Sequence, residues 1–160
     1  MQLILWRHAE AEDLAKTDLA RALTPKGRRQ ADAVGKWLRA SLGPELSQWR
    51  ILASPAVRTQ QTAQALGCPF ETVNEIAPDA PASAVLAAAG WPSAPQPAIV
   101  VGHQPTLGMV AAHLMHGEEG YVSVKKGAIW WFETRIREGV GQTVLKTMLT
   151  PESILNISPD

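Results

Sequence analysis

The sequence predicts an α/β fold with a largely parallel sheet and crossover helices on both faces, and three observations predict it. Short apolar runs alternate with helix-period stretches along the whole chain. The runs Gln2 to Trp6 and Ala98 to Val101 are short and bounded, as buried strands are; Thr24-Pro25 and Ser54-Pro55 open helices between them, and a further helix begins at Pro105 after the second run. Such alternation is the signature of helices packed on a mostly parallel sheet, three layers in all.

Taken in order, Gln2 to Trp6 reads as a buried strand ending at Arg7, followed to Leu23 by a loop rich in Ala, Asp and Glu. Thr24 supplies an N-cap and Pro25 an N1 proline for a helix over about Lys26 to Ala40, with Ala31, Val34, Trp37 and Leu38 on one face and Gly43-Pro44 as its stop. Ile51 to Ala53 is a second strand, and Ser54-Pro55 opens a helix to about Leu66, closed by Gly67. Phe70 to Val73 makes a weaker third strand, Pro81 to Ala89 an alanine-rich helix, and Trp91 to Pro97 a loop. The strand Ala98 to Val101 leads through Gly102-His103-Gln104 into a helix from Pro105 to about Met115. Gly127 to Glu133 and Thr143 to Leu149 read as a pair of strands joined across Glu138 to Gly141.

Composition bounds the function. The 160 residues predict a single domain, 1–160, and the 46% hydrophobic and 19% charged content lies outside the disordered range. Lys+Arg and Asp+Glu are equal at 15 each, so no nucleic-acid or acidic-membrane partner is expected, and an anion site has to be local. The single cysteine, Cys68, excludes an intrachain disulfide and a multi-cysteine zinc site, and fits a reducing cytoplasm. No run is long enough for a membrane span, and Met1 to Arg7 does not read as a signal peptide. A cytoplasmic location is the expectation, and a monomer is favoured with the oligomeric state left open.

In parallel α/β sheets the ligand site lies at the carboxyl ends of the strands. Arg7-His8, Ser54 to Arg58 and Gly102-His103 follow three of them, so two histidines and two arginines are predicted to converge. One histidine by itself is most often a core or surface residue, but the joint placement favours chemistry. Forked guanidinium donors suit phosphate oxygens, and an imidazole can attack phosphorus and leave again near neutrality. A phosphoryl dianion needs about two compensating cations, which Arg7 and Arg58 supply. Helix N-termini near Pro55 and Pro105 would add backbone N–H groups.

Leu3-Ile4-Leu5-Trp6-Arg7-His8-Ala9, then Leu23-Thr24-Pro25-Lys26-Gly27-Arg28-Arg29-Gln30-Ala31, then Ser54-Pro55-Ala56-Val57-Arg58-Thr59-Gln60-Gln61-Thr62-Ala63, then Val101-Gly102-His103-Gln104-Pro105 resembles the histidine phosphatase superfamily. Among its branches the chain is most similar to the small SixA-type phosphohistidine phosphatases. The resemblance runs from the first strand to about His116. It implies a phosphoglycerate mutase-like three-layer sandwich with a mostly parallel central sheet. It also implies that His8 becomes phosphorylated, that Arg7 and Arg58 clamp the phosphoryl oxygens, and that His103 completes the pocket. In this branch an arginine after the first strand also faces the phosphate; Arg21 takes that place, with Asp18 as a candidate proton donor. For both, an ordinary exposed loop charge is the alternative. Ala9 stands where much of the superfamily has glycine.

Larger members carry an acidic residue in an insertion, whereas only about 44 residues separate Arg58 from His103 here. That predicts a minimal form without a cap domain. Glu75 is the other candidate acid; Asp79 and Glu71 are the remaining carboxylates of the interval. Expelling an alkoxide requires protonation, whereas an imidazole leaving group titrates near pH ~6.5, so N–P cleavage is the easier task. The expected substrate is a phosphohistidine on a phosphotransfer domain. The alternatives are a small phosphate ester, as for a broad phosphomonoesterase, and a domain that binds a phosphorylated partner without turnover.

No metal or cofactor is expected. His113 and His116 lack an H-E-x-x-H pattern or a cysteine companion and read as cations at a helix C-terminus. Neither a G-x-G-x-x-G nor a P-loop pattern occurs. Of the adjacent Trp130 and Trp131, alternation predicts one facing the core and one facing outward, where it could dock a partner. Cys68 reads as a small buried residue.

Overall fold

The computed structural model describes residues 1–155. Six strands form one sheet in the order β3-β2-β4-β1-β5-β6. They are β1 (Gln2–Arg7), β2 (Arg50–Ala53), β3 (Glu71–Thr72), β4 (Ala98–Gly102), β5 (Ile129–Arg137) and β6 (Val140–Leu149). The first four run parallel, while β5 is antiparallel to β1 and β6 to β5. The helices are α1 (Pro25–Leu42), α2 (Val57–Gln64), α3 (Ala82–Ala89), α4 (Thr106–His116) and α5 (Pro151–Leu155).

Strand alternation sorts the core into two layers. Leu3 and Leu5 of β1, with Leu52 and Val100, pack on α3 and α4 through Val85, Leu107, Val110 and Leu114. Ile4 and Trp6, with Ile51, Ala53, Ile99 and Val101, pack on the other side against Val34, Leu38 and Leu42 of α1 and Ala63 of α2. Strands β2, β4 and β1 are apolar on both faces for this reason: the sheet is the middle layer of a three-layer sandwich.

Local signals account for most helix ends. The Thr24 hydroxyl accepts from the Gly27 backbone N–H at 2.9 Å, with Pro25 at the first helical position, so α1 begins where the sequence places it. Gly43, at φ +52°, ends α1. The chain then continues as a 3-10 helix over Gly43–Gln48 instead of a loop. Helix α2 starts later than expected, at Val57, because Pro55 and Ala56 remain outside it and the Thr59 hydroxyl folds back on Ser54 O and Ala56 O. Residues Asp18–Ala20, expected as loop, form one 3-10 turn capped by Thr17.

The last two strands differ most from expectation. Glu138 and Gly139 alone make the turn, both at positive φ, so Val140 and Gly141 belong to β6. A two-residue turn of this hand matches the twist of the strands it joins. Trp130 and Trp131 are both half-buried on opposite faces, against the α3/α4 layer and the α1 layer respectively, so neither is the outward-facing indole expected. The Trp131 indole N–H donates to Gln2 Oε1, and Trp37 and Trp49 meet its ring edge to face. Cys68 is likewise half-buried, and burial pushes its thiol pKa up. Among the described residues no helix is long and apolar enough to cross a membrane.

Candidate active site

The parallel ladder itself carries the site residues to one edge. Arg7 pairs with Gly102 across β1 and β4, and Ala53 with Val101 across β2 and β4. One residue further on, the His8 N–H donates to Gly102 O and the Ser54 N–H to Val101 O, each at 3.1 Å. The His8 carbonyl then accepts from Gly127 N–H at 3.0 Å, just before β5. His8 is therefore held by backbone bonds on both sides before its side chain is considered.

The segment after His8 is pinned by α1 and α2. The Ala9 N–H donates to Thr62 Oγ1, whose hydroxyl donates to Arg58 O, and the Glu10 N–H donates to Gln30 Oε1. Gln61 Oε1 accepts from the Leu23 N–H at 2.7 Å. The glutamines and threonine of the sequence motifs thus anchor the loop that bears the site. Residues 12–22 leave and return through one narrow neck, closed by Glu12 N–H donating to Ala22 O and an Ala11–Leu23 bridge.

These elements enclose a cavity of about 360 Å³ lined by Arg7, His8, Asp18, Arg21, Arg58 and His103, together with Ala11, Pro78, Asp79, Gln104 and Lys126. Four expected residues, Arg7, His8, Arg58 and His103, converge, and Arg21 and Asp18 join them. Glu75 does not. It is exposed on the 3-10 turn Asn74–Ile76, and the carboxylate that reaches the cavity from that interval is Asp79, at φ +68°. Lys126 was not expected either. Its signal was available: an antiparallel strand begins at the edge where its parallel neighbours end, so the lysines before β5 arrive at the site. Between Arg58 and His103 the chain forms the rest of α2, then β3, α3 and β4 with one 3-10 turn.

His8 and His103 are buried, with ring centroids 5.4 Å apart. The His8 Nδ1 lies 2.7 Å from Ala9 O. A carbonyl only accepts, so Nδ1 carries the proton and Nε2 keeps its lone pair. The His8 pKa is pushed down to about 4, by burial first and also by Arg58, Arg7 and Arg21, against the raising effect of the Ala9 carbonyl. His103 is pushed down to about 3 by burial, then by His8 and Arg58. Both rings are neutral at pH 7.

The arginines are held by few anions. Arg7 Nη1 donates to Val124 O at 2.8 Å, while Nε of Arg7 and Nε of Arg58 are buried without partners. Burial lowers the Arg7 pKa, Tyr121 raises it and Arg58 lowers it, but a guanidinium stays charged at any physiological pH. Arg58 Nη1 donates to Asp18 O at 2.8 Å and Nη2 to Asp18 Oδ2 at 3.1 Å. Arg21 Nε reaches the other carboxylate oxygen, Oδ1, at 3.1 Å. Partial burial raises the Asp18 pKa, but the bonds and charges of Arg58 and Arg21 outweigh it and hold the carboxyl below its usual range. Asp18 is consequently an anion here, not a stored proton. Three arginines and a lysine against two carboxylates leave the cavity net positive, and the unpartnered N–H groups suit it to a phosphoryl-sized anion. Among the described residues no group of three or more His, Cys, Asp or Glu is placed to hold a metal ion.

A sheet whose strand ends gather two neutral histidines among arginines defines a phosphoryl-binding α/β protein, and comparison with known proteins gives its lineage. The chain belongs to the histidine phosphatase superfamily, branch 1, whose profile matches residues 3–79. An uncharacterized protein of Picosynechococcus is 36% identical over 139 residues, 81% of this chain and 82% of that one. A phosphohistidine phosphatase SixA homolog of Haemophilus influenzae is 41% identical over 73 residues, a match spanning 44% of either chain. The structure of the protein histidine phosphatase SixA complexed with tungstate superposes with a TM-score of 0.75 at 24% identity, over 96% of this chain and 99% of that one. Within the superfamily the chain is of the SixA type.

Proposed function

We propose that this protein is a metal-independent phosphatase that hydrolyses phosphohistidine on a protein, in the cytoplasm and in the service of signal transduction. The observation that carries this reading is the pairing of an unprotonated His8 Nε2 with an Asp18 carboxylate held as an anion. Asp18 is tied as an anion between Arg58 and Arg21, and Asp79 is exposed at the rim. A phosphohistidine needs less acid help to break than an alkyl phosphate ester does.

In the first step His8 Nε2 attacks phosphorus in line, forming a new N–P bond as the substrate N–P bond breaks. The substrate imidazole leaves with the bonding pair and takes a proton from solvent. Arg7, Arg58 and Arg21 neutralise the three phosphoryl oxygens while charge is redistributed. In the second step water attacks phospho-His8, releasing orthophosphate and returning Nε2 to its free lone pair.

The cavity mouth suits a macromolecular donor. It is uncapped, and Leu14, Leu19 and Tyr121, on the 12–22 loop and ahead of β5, are exposed large side chains. One observation favours a second reading, a small-molecule phosphomonoesterase: a second carboxylate besides Asp18, that of Asp79, lines the cavity.

The test compares orthophosphate release from a phosphohistidine-bearing phosphotransfer domain and from an aryl phosphate, at neutral pH with chelator present. Faster turnover of the phosphohistidine, lost in His8→Ala, is expected. Preference for the ester would shift the assignment to small-molecule metabolism, with Asp79→Asn the next variant. Activity on neither would leave a phospho-partner binding domain.

A further inference from the structure

The two ring nitrogens of His103 sit in different surroundings. Nε2 lies 2.6 Å from Ser54 Oγ, whereas Nδ1 is buried without a hydrogen-bond partner. A ring held neutral at pH 7 carries one N–H, and either nitrogen could bear it. The chemistry of Ser54 decides between them.

Ser54 is fully buried, so its hydroxyl proton cannot be given to bulk water. Its Oγ already accepts from the Ala56 N–H at 3.3 Å. If His103 Nε2 also donated to Oγ, the hydroxyl would accept twice and its own proton would be orphaned in the interior, which is costly. On a ring that lines the cavity, Nδ1 would then be a bare lone pair, which repels an anion. If the hydroxyl instead donates to Nε2, Oγ is satisfied as donor and acceptor. Nδ1 then keeps the proton.

We infer that Ser54 is a positioning residue, whose hydroxyl donates to His103 Nε2 and so reserves the Nδ1–H of that ring for a phosphoryl oxygen. The same tautomer is thereby imposed on both histidines by different acceptor and donor chemistry. A carbonyl, Ala9 O, takes the Nδ1 proton of His8 and leaves Nε2 as a nucleophile. A hydroxyl feeds Nε2 of His103 and leaves Nδ1 as a donor. One ring offers an electron pair and its neighbour offers a proton, with no net charge on either. The role of Ser54 rests on the proposed phosphatase function, but the tautomer does not.

Long-range proton–nitrogen NMR of the nitrogen-15-labelled protein at pH 7, with the ring assigned through His103→Asn, reads the tautomer directly. Nδ1 is expected at a protonated, pyrrole-type shift and Nε2 at a pyridine-type shift. Ser54→Ala is expected to mix the tautomers and weaken binding of inorganic phosphate by about tenfold, the effect of losing one hydrogen bond to a charged group. Ser54→Thr, which retains the hydroxyl, is expected to restore both. A wild-type spectrum with Nε2 protonated, or with both nitrogens protonated, overturns the inference without any variant. So does a Ser54→Ala protein whose phosphate affinity equals the wild type. If the tautomer holds but no phosphate compound turns over, the phosphatase reading fails and the tautomer stands.

Discussion

Both terminal nitrogens of Arg58 are turned to Asp18, one to its carbonyl at 2.8 Å and one to its carboxylate at 3.1 Å. The Arg58 side chain is 4% exposed and that of Asp18 58%, so a fixed cation is met by a carboxylate that can move away into water. An incoming phosphoryl group has to compete with that carboxylate for Arg58 and Arg21.

Removing the competitor has a definite sign. Asp18→Asn keeps the backbone contact but deletes one negative charge from the cavity. Inorganic phosphate is expected to bind about three- to tenfold more tightly, a modest gain because exposed charges are screened. Calorimetric titration at neutral pH measures it, and equal or weaker binding would show that Asp18 aids the anion.

Replacing the cation gives the converse. Arg58→Lys keeps the charge but cannot hold Asp18 O while presenting planar donors to phosphate. A loss of roughly 10- to 100-fold in kcat/KM is expected, the worth of one or two charge-assisted hydrogen bonds. Steady-state kinetics on the better substrate decides, and an unchanged kcat/KM would remove Arg58 from the site.

Acid should destabilise the fold through its two neutral histidines. Both have folded pKa values below the ordinary 6.5, at about 4 for His8 and about 3 for His103. Between those values and 6.5 the unfolded chain binds more protons, so stability rises with pH. This contribution is complete above 6.5 and is lost as pH falls to 4 and then 3, by up to about 1.4 kcal/mol per pH unit for each histidine. Urea melts from pH 7 to 4 are expected to flatten in His8→Asn and flatten further when His103→Asn is added. Identical slopes in all three proteins would contradict the buried neutral rings.

Packing behind the site is equally specific. A Cβ on Gly27, in the first turn of α1, would lie 1.9 Å from Glu10 O, backbone that follows directly on His8 and Ala9. Gly27→Ala is expected to cost about 1–3 kcal/mol and to lower turnover by displacing that segment. Gly141→Ala, where a Cβ meets nothing within 4 Å, should change stability by no more than about 0.5 kcal/mol. Thermal melts of the two variants side by side check the contrast.

Elements whose cause is local were legible in the sequence. Thr24-Pro25 starts α1, Gly117 at φ +72° ends α4, and the apolar run Ala98 to Val101 is the buried heart of β4. The convergence of Arg7, His8, Arg58 and His103 followed from one rule about strand ends. Where the cause is distant, the reading failed. The reach of β5 and β6 depends on their pairing and on a two-residue turn, and the burial of both tryptophans depends on layers covering each face of the sheet. Asp79 and not Glu75 is the carboxylate of that interval at the cavity, and its left-handed backbone is a conformation that aspartate tolerates but does not announce.

The sequence by itself determined that Arg7, His8, Arg58 and His103 would meet, since chain order and strand polarity carry these motifs to one edge of the sheet. Their chemical states were decided only by tertiary structure. That the His8 ring is neutral, that Asp18 is an ionised partner of the arginines, and that Ser54 faces His103 all depend on burial and on neighbours far away in the chain. Proton positions follow the local field and the partners within hydrogen-bonding reach, and neither exists until the layers close.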